Sequence, residues 1–126
     1  MKKTDTEWKT CLSEEEYSVL RKKATEKPFT GKLLKNKEKG NYICAGCRNV
    51  LFDSKTKFDS GTGWPSFYDA KKGSVKFEKE KGIFGRTEVL CSKCNGHLGH
   101  VFDDAPEMPT RKRYCINSVA LGFKKK

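Results

Sequence analysis

The sequence predicts a mainly β domain of antiparallel sheets with one short helix near the N-terminus. Three observations predict it. Past Gly31 the apolar residues come in short runs broken by polar ones, the pattern of half-buried strands. Most of the 11 glycines fall between those runs, where turns need them. Only the segment after Ser13 has both a helical cap and a helical stripe. At 126 residues the chain has the size of a single domain, expected to span 1–126, and is long enough for a core of its own.

Residues 1–12 are charged and have little but Trp8 to anchor them, so a mobile start is expected there. Ser13-Glu14-Glu15-Glu16 has the form of a capping box, with Leu12 and Tyr17 placed as a hydrophobic staple. Tyr17, Leu20 and Ala24 make the buried stripe, and Arg21-Lys22-Lys23 suits the negative end of the helix dipole. Pro28 is the expected stop. Short strands then follow at Asn41–Ile43, Val50–Phe52, Lys57–Asp59, Ser74–Lys79 and Ile83–Leu90, the last interrupted by Gly85. Ser60–Phe67 reads as a rigid loop. Arg113–Phe123 reads as one final strand.

Lys and Arg number 27 against 16 Asp and Glu, a net charge of +11. Such a surface attracts polyanions, and a basic zinc module on nucleic acid is the rival functional reading. The lysines are spread along the chain, with no arginine-rich helix, which favours a solvated surface. No run approaches the roughly 20 apolar residues of a membrane helix, and the first 20 residues lack the apolar stretch of a secretory signal. The expected location is the cytoplasm, where thiols stay reduced.

Of six cysteines, four form two C-x-x-C pairs, Cys44/Cys47 and Cys91/Cys94. Four thiolates are the usual closed set for one structural Zn²⁺, which makes the domain zinc-clamped. A redox pair, two disulfides or iron are the alternatives. Positions 48–90 separate the pairs, far more than the roughly 15–20 residues of a compact ribbon, so the metal would join remote parts of the chain. Gly46 and Gly96 are expected to let the backbone turn around it.

Cys11 and Cys115 remain. In a strand, Arg113, Cys115 and Asn117 share one face and Tyr114 and Ile116 the other. A guanidinium beside a thiol favours the thiolate, and an amide can orient a substrate; a buried inert cysteine fits this stretch equally well. His97 and His100, the only histidines, can hold or release a proton near neutral pH. Either could instead be a structural residue.

Pro28-Phe29-Thr30-Gly31, Gly61-x-Gly63-Trp64-Pro65-Ser66-Phe67, His97-Leu98-Gly99-His100-Val101-Phe102-Asp103-Asp104, Arg113-Tyr114-Cys115-Ile116-Asn117-Ser118 and the two C-x-x-C pairs together resemble the B-type methionine sulfoxide reductases. The resemblance runs from about Ser13 to Phe123. It implies reduction of the R epimer of methionine sulfoxide, free or in proteins, as a repair of oxidative damage. It implies Cys115 as the nucleophile, passing through a sulfenic acid, and thioredoxin as the reductant. His100 would give the proton, with Asp104 assisting. Arg113 and Asn117 would tune the thiol or place the substrate. Trp64, His97 and Phe102 would bound the substrate, although Trp64 and Phe102 also suit a core. Many members of that family have their resolving cysteine where this chain has Thr62, and threonine forms no disulfide. Cys11 is then the candidate resolving residue, its alternative being an incidental thiol. A monomer is expected.

Overall fold

The computed structural model describes residues 4–80 and 86–126. Two helices come first: α1 (Asp5–Cys11) and α2 (Glu14–Lys22). The α2 capping box is formed as expected, Ser13 Oγ accepting the Glu16 N–H at 3.1 Å and the Glu16 carboxylate accepting the Ser13 N–H at 2.9 Å. Helix α1 was not expected, yet it opens on the same device. Thr4 Oγ1 accepts the Glu7 N–H, and the Glu7 carboxylate accepts the Thr4 N–H. Each cap contributes about 1 kcal/mol. Trp8 anchors α1, only 2 % exposed, with the Arg21 guanidinium 4.9 Å from its ring. Helix α2 ends well before Pro28, because Lys23 takes a left-handed conformation (φ 61°). Tyr17 and Leu20 are buried as expected, and Val19 joins them.

Among the described residues nine strands follow: β1 (Gly40–Cys44), β2 (Val50–Asp53), β3 (Lys57–Phe58), β4 (Ser66–Phe67), β5 (Val75–Lys79), β6 (Thr87–Cys91), β7 (His97–Phe102), β8 (Arg113–Ile116) and β9 (Leu121–Lys125). Of the strand expected over 83–90, residues 83–85, with the interruption at Gly85, lie outside the described residues. All pairings are antiparallel. One sheet has the order β2-β1-β9 and the other β3-β4-β8-β7-β6-β5.

The single strand expected over Arg113–Phe123 is two strands in different sheets. A 3-10 turn at Ser118–Ala120 separates them, so the chain crosses from one sheet to the other just after Asn117. Aromatic rings join the sheets there. Phe52 stacks on Phe67 with centroids 4.3 Å apart, and Tyr42 meets Phe67 edge-on at 5.0 Å. Tyr114 reaches Phe52 at 5.8 Å, so the core face of β8 seals the same cluster. Each such ring pair adds about 0.5–1.5 kcal/mol beyond its buried area.

Strand β8 lies between β4 and β7, and one residue of β7 permits the fit. A Cβ placed on Gly99 would lie 2.0 Å from the Cys115 carbonyl oxygen. Only glycine lets these two backbones pair at that point. Gly99→Ala is therefore expected to lower stability by more than about 2 kcal/mol through strand displacement. Chemical denaturation measures this, and a loss below about 0.5 kcal/mol would contradict the tight β7–β8 contact.

Candidate active site and metal centre

The two C-x-x-C pairs form matching knuckles. In the first, the Cys44 N–H bonds to Asn49 O and the Arg48 N–H to Cys44 O. In the second, the Cys91 N–H bonds to Gly96 O and the Asn95 N–H to Cys91 O. The left-handed residue of each turn is Arg48 (φ 67°) or Asn95 (φ 62°), not the glycines expected to supply it. Gly46 and Gly96 instead leave room for neighbours: added Cβ atoms would lie 3.2 Å from the Trp8 ring and 3.0 Å from Leu20.

The sulfurs of Cys44, Cys47, Cys91 and Cys94 all lie within 4.8 Å of one another. Cys44 Sγ is 3.7 Å from Cys94 Sγ, and Cys47 Sγ is 3.5 Å from Cys91 Sγ. A tetrahedral zinc with bonds of about 2.3 Å has sulfur–sulfur edges of about 3.8 Å, so the set fits a metal ion of that size. Asn49 Nδ2 points at Cys91 Sγ from 3.6 Å, the outer support that metal thiolates use. Hydrogen bonds from Cys44 and Cys94 pull the Cys91 thiol well down, while contact with Cys91 and Cys94, together with burial, pushes Cys44 far up. The protein by itself favours one thiolate at the expense of its neighbours, so a cation is what would hold all four.

Strand β7 begins three residues after the second knuckle. Its register sets Cys115 of β8 opposite His100 of β7 on one side and Ser66 of β4 on the other. Opposed residues share a face of the sheet, and His100 is itself opposite Glu88 of β6. A row Ser66–Cys115–His100–Glu88 therefore crosses four strands. Cys115 is half-buried. Burial pushes its thiol up, while a hydrogen bond to Thr62 and the charge of Arg113 pull the other way without prevailing. Arg113 acts on the thiol in the expected sense, but the burial of Cys115 on an interior strand outweighs it.

His97 and His100 stand together, ring centroids 5.5 Å apart. His100 Nε2 lies 3.2 Å from Glu80 Oε2, and that contact holds the Glu80 carboxyl below its usual range. His97 Nδ1 meets Glu88 Oε2 at 2.5 Å, and burial lowers the His97 pKa despite that partner. Asp104, expected beside His100, pairs with Arg113 instead, through two hydrogen bonds of 3.0 and 2.9 Å. The Arg113 guanidinium also lies 4.5 Å from the Phe102 ring. Cation, ring and carboxylate fix each other at the edge of the Cys115 row, and Phe102 is half-buried rather than core.

Asn117 leaves β8 before its face can continue. Its Nδ2 donates to Leu98 O at 3.0 Å, and its Oδ1 accepts the Glu26 N–H at 3.0 Å. Trp64 is half-buried, and its Nε1 donates to Glu26 O at 2.9 Å. The amide and the indole therefore hang on one residue of the loop after α2. Thr62 Oγ1 lies 3.9 Å from Cys115 Sγ and continues through Ser60 to Ser66 by two contacts of 2.7 Å. Cys11 is exposed at the end of α1.

Sequence reasoning missed Glu26, Glu80 and Glu88. Glu88 did leave a signal, as a charged residue inside the apolar stretch that leads to Cys91. Glu26 and Glu80 left none, since each acts through a distant chain segment.

A SelR domain model matches residues 12–125. The chain belongs to the SelR family. It is 56 % identical over 99 % of its length to a protein of Methanosarcina mazei named peptide methionine sulfoxide reductase MsrB, covering 90 % of that protein. It is 55 % identical over 98 % of its length to a protein of the same name from Leptospira interrogans, covering 95 % of it. A crystal structure of the Mis18 'Yippee-like' domain shares the fold at a TM-score of 0.56 and 20 % identity, over 71 % of this chain and 98 % of that one. In this SelR domain the Cys115 row crosses the six-stranded sheet, and the four-thiol cluster lies between the end of that sheet's β6 and the end of β1 in the other sheet. Among the described residues no helix is long and apolar enough to cross a membrane.

Two outcomes are expected. Cys44→Ser, or a strong chelator, should remove the metal and lower the melting temperature sharply, read by metal analysis and calorimetry; an unchanged melting point would show the cluster to be unused. Alkylation of Cys115 should have its midpoint above the usual thiol range, because the charged form is the disfavoured one, and Arg113→Ala should move it higher. A midpoint below pH 8 in the unmutated protein would contradict the burial argument.

Proposed function

We propose that this SelR-family chain reduces the R epimer of methionine sulfoxide, free or in proteins, with Cys115 as its nucleophile. The observation that supports this most is the pairing of Cys115 with His100 across β7 and β8. It brings a sulfur nucleophile and a proton carrier to one face. The relatives named as peptide methionine sulfoxide reductases match nearly the whole chain, which supports the substrate class.

In the first step Cys115 sulfur attacks the sulfoxide sulfur. The sulfur–oxygen bond of the substrate breaks, the oxygen ends on Cys115 as a sulfenic acid, and methionine leaves. Cys115 is oxidised by two electrons and the substrate reduced by two; the thiol proton and the oxygen are both kept in the S–OH group. His100, with Glu80 near it, would carry that proton to the oxygen. Trp64 and Phe102 offer flat apolar surface for the methyl and side chain of the substrate. Arg113, held by Asp104, favours negative charge on the Cys115 sulfur once substrate has arrived. Asn117 acts by holding the loop of Glu26, and with it Trp64.

A second thiol then condenses with the sulfenic acid, releasing water and forming a disulfide, which a dithiol such as thioredoxin reduces by exchange. Thr62 stands beside Cys115 and cannot resolve it, so the partner is Cys11 or the reductant's own thiol. Cys44, Cys47, Cys91 and Cys94 would hold one zinc per chain, whose role would be to stabilise the fold. The working form is a cytoplasmic monomer.

Turnover of the two separated epimers by the purified protein with dithiothreitol or thioredoxin tests the reading. Only the R epimer should be reduced, Cys115→Ser should be inactive yet folded, and mapping after one equivalent of substrate should reveal a Cys11–Cys115 disulfide if Cys11 resolves. Reduction by Cys115→Ser would refute the nucleophile. A chain that cycles normally with thioredoxin as Cys11→Ser, without that disulfide, assigns resolution to the reductant.

A further inference from the structure

Glu88 is a carboxylate in the interior, 1 % exposed, on a strand whose neighbours Val89, Leu90 and Cys91 are core. An unpaired charge there would cost several kcal/mol, roughly, so its partners carry information. Two are present. Glu88 Oε1 accepts from Lys23 Nζ at 3.2 Å, and Glu88 Oε2 lies 2.5 Å from His97 Nδ1. Lys23 can reach it because α2 ends there in the left-handed conformation. His97, 2 % exposed, has its other ring nitrogen, Nε2, buried and without a hydrogen-bond partner among the described residues. A buried polar atom with no partner is uncommon, and beside a reactive row it marks a place for a group that arrives later.

We infer that Glu88, with Lys23 behind it, is a positioning residue that fixes His97 as the Nδ1–H tautomer and so reserves Nε2 as an acceptor in the Cys115 site. The reasoning is one of proton inventory. A carboxylate only accepts, so the nitrogen facing it must carry the hydrogen. The neutral ring has one hydrogen, and Nε2 is left bare. His97 in that form accepts a hydrogen bond from water or from a substrate N–H or O–H, and it donates nothing at Nε2. The two histidines thereby divide the work: His97 orders the arriving donor, and His100 supplies the proton to the sulfoxide oxygen. This inference rests on the proposed sulfoxide reduction for its catalytic part, but the tautomer of His97 does not.

Glu88→Gln separates the roles of charge and shape. Lys23 donates only, so it should turn the amide oxygen toward itself and the amide NH₂ toward His97 Nδ1. That nitrogen must then accept, and the hydrogen moves to Nε2. Long-range ¹H–¹⁵N correlation spectra should show Nδ1–H for His97 in the unmutated, metal-loaded protein and Nε2–H in Glu88→Gln. kcat should fall by roughly tenfold or more with KM and metal content little changed, as when a wrong tautomer is imposed elsewhere. An Nε2–H tautomer in the unmutated protein would overturn the assignment even if the variant fails to fold. So would a variant with the flipped tautomer and full kcat. Absence of sulfoxide turnover in the unmutated protein would count against the proposed function instead, and the spectra would still decide the place of Glu88.

Discussion

The four-thiol cluster is the constraint on which the rest of the structure depends. Cys44 ends β1 in the three-stranded sheet, and Cys91 ends β6 in the six-stranded sheet. Their sulfurs, with those of Cys47 and Cys94, lie within 4.8 Å. One ion bound there would tie the two sheets at the ends of β1 and β6, while the Phe52–Phe67–Tyr42 rings tie them through the core. Helices α1 and α2 close the cluster from outside through Trp8 and Leu20, which lie against the glycines of the two knuckles. Metal binding there would contribute folding free energy.

The same clamp sets the chemistry. Strand β7 starts directly after the second knuckle, so the position of Cys94 fixes where His97 and His100 enter the sheet. Gly99 then lets β8 approach β7 closely enough that His100 stands opposite Cys115. Glu88 holds His97 through a hydrogen bond, and the Glu80 carboxylate lies within ion-pair distance of His100. Side chains held on strands by such partners keep their geometry better than side chains on loops, which would suit the proposed transfer of a proton and an oxygen.

The thiol itself is poised in an unexpected sense. Arg113 lies beside it, yet the interior position of β8 costs the thiolate more than the cation returns. Arg113 spends much of its charge on Asp104. In the proposed reaction, then, reactivity would come from the substrate and the proton donors around it, not from a standing thiolate.

The sequence alone determined the antiparallel β class, the helix after Ser13, the four thiols that cluster and the grouping of Arg113 with Cys115. Each of these follows from local rules: strand alternation, a capping box, C-x-x-C spacing. A rule of the same kind was present for α1 in Thr4-x-x-Glu7, but the charged composition of the first residues masked it. The tertiary structure alone decided that Arg113–Phe123 breaks after Ile116, since nothing local tells one sheet from another across a three-residue turn. It alone paired Asp104 with Arg113, set Glu80 and Glu88 against the histidines, and hung Asn117 and Trp64 on Glu26. Those contacts join residues far apart in the chain, and their energy depends on burial, which strand register creates and which no local pattern encodes.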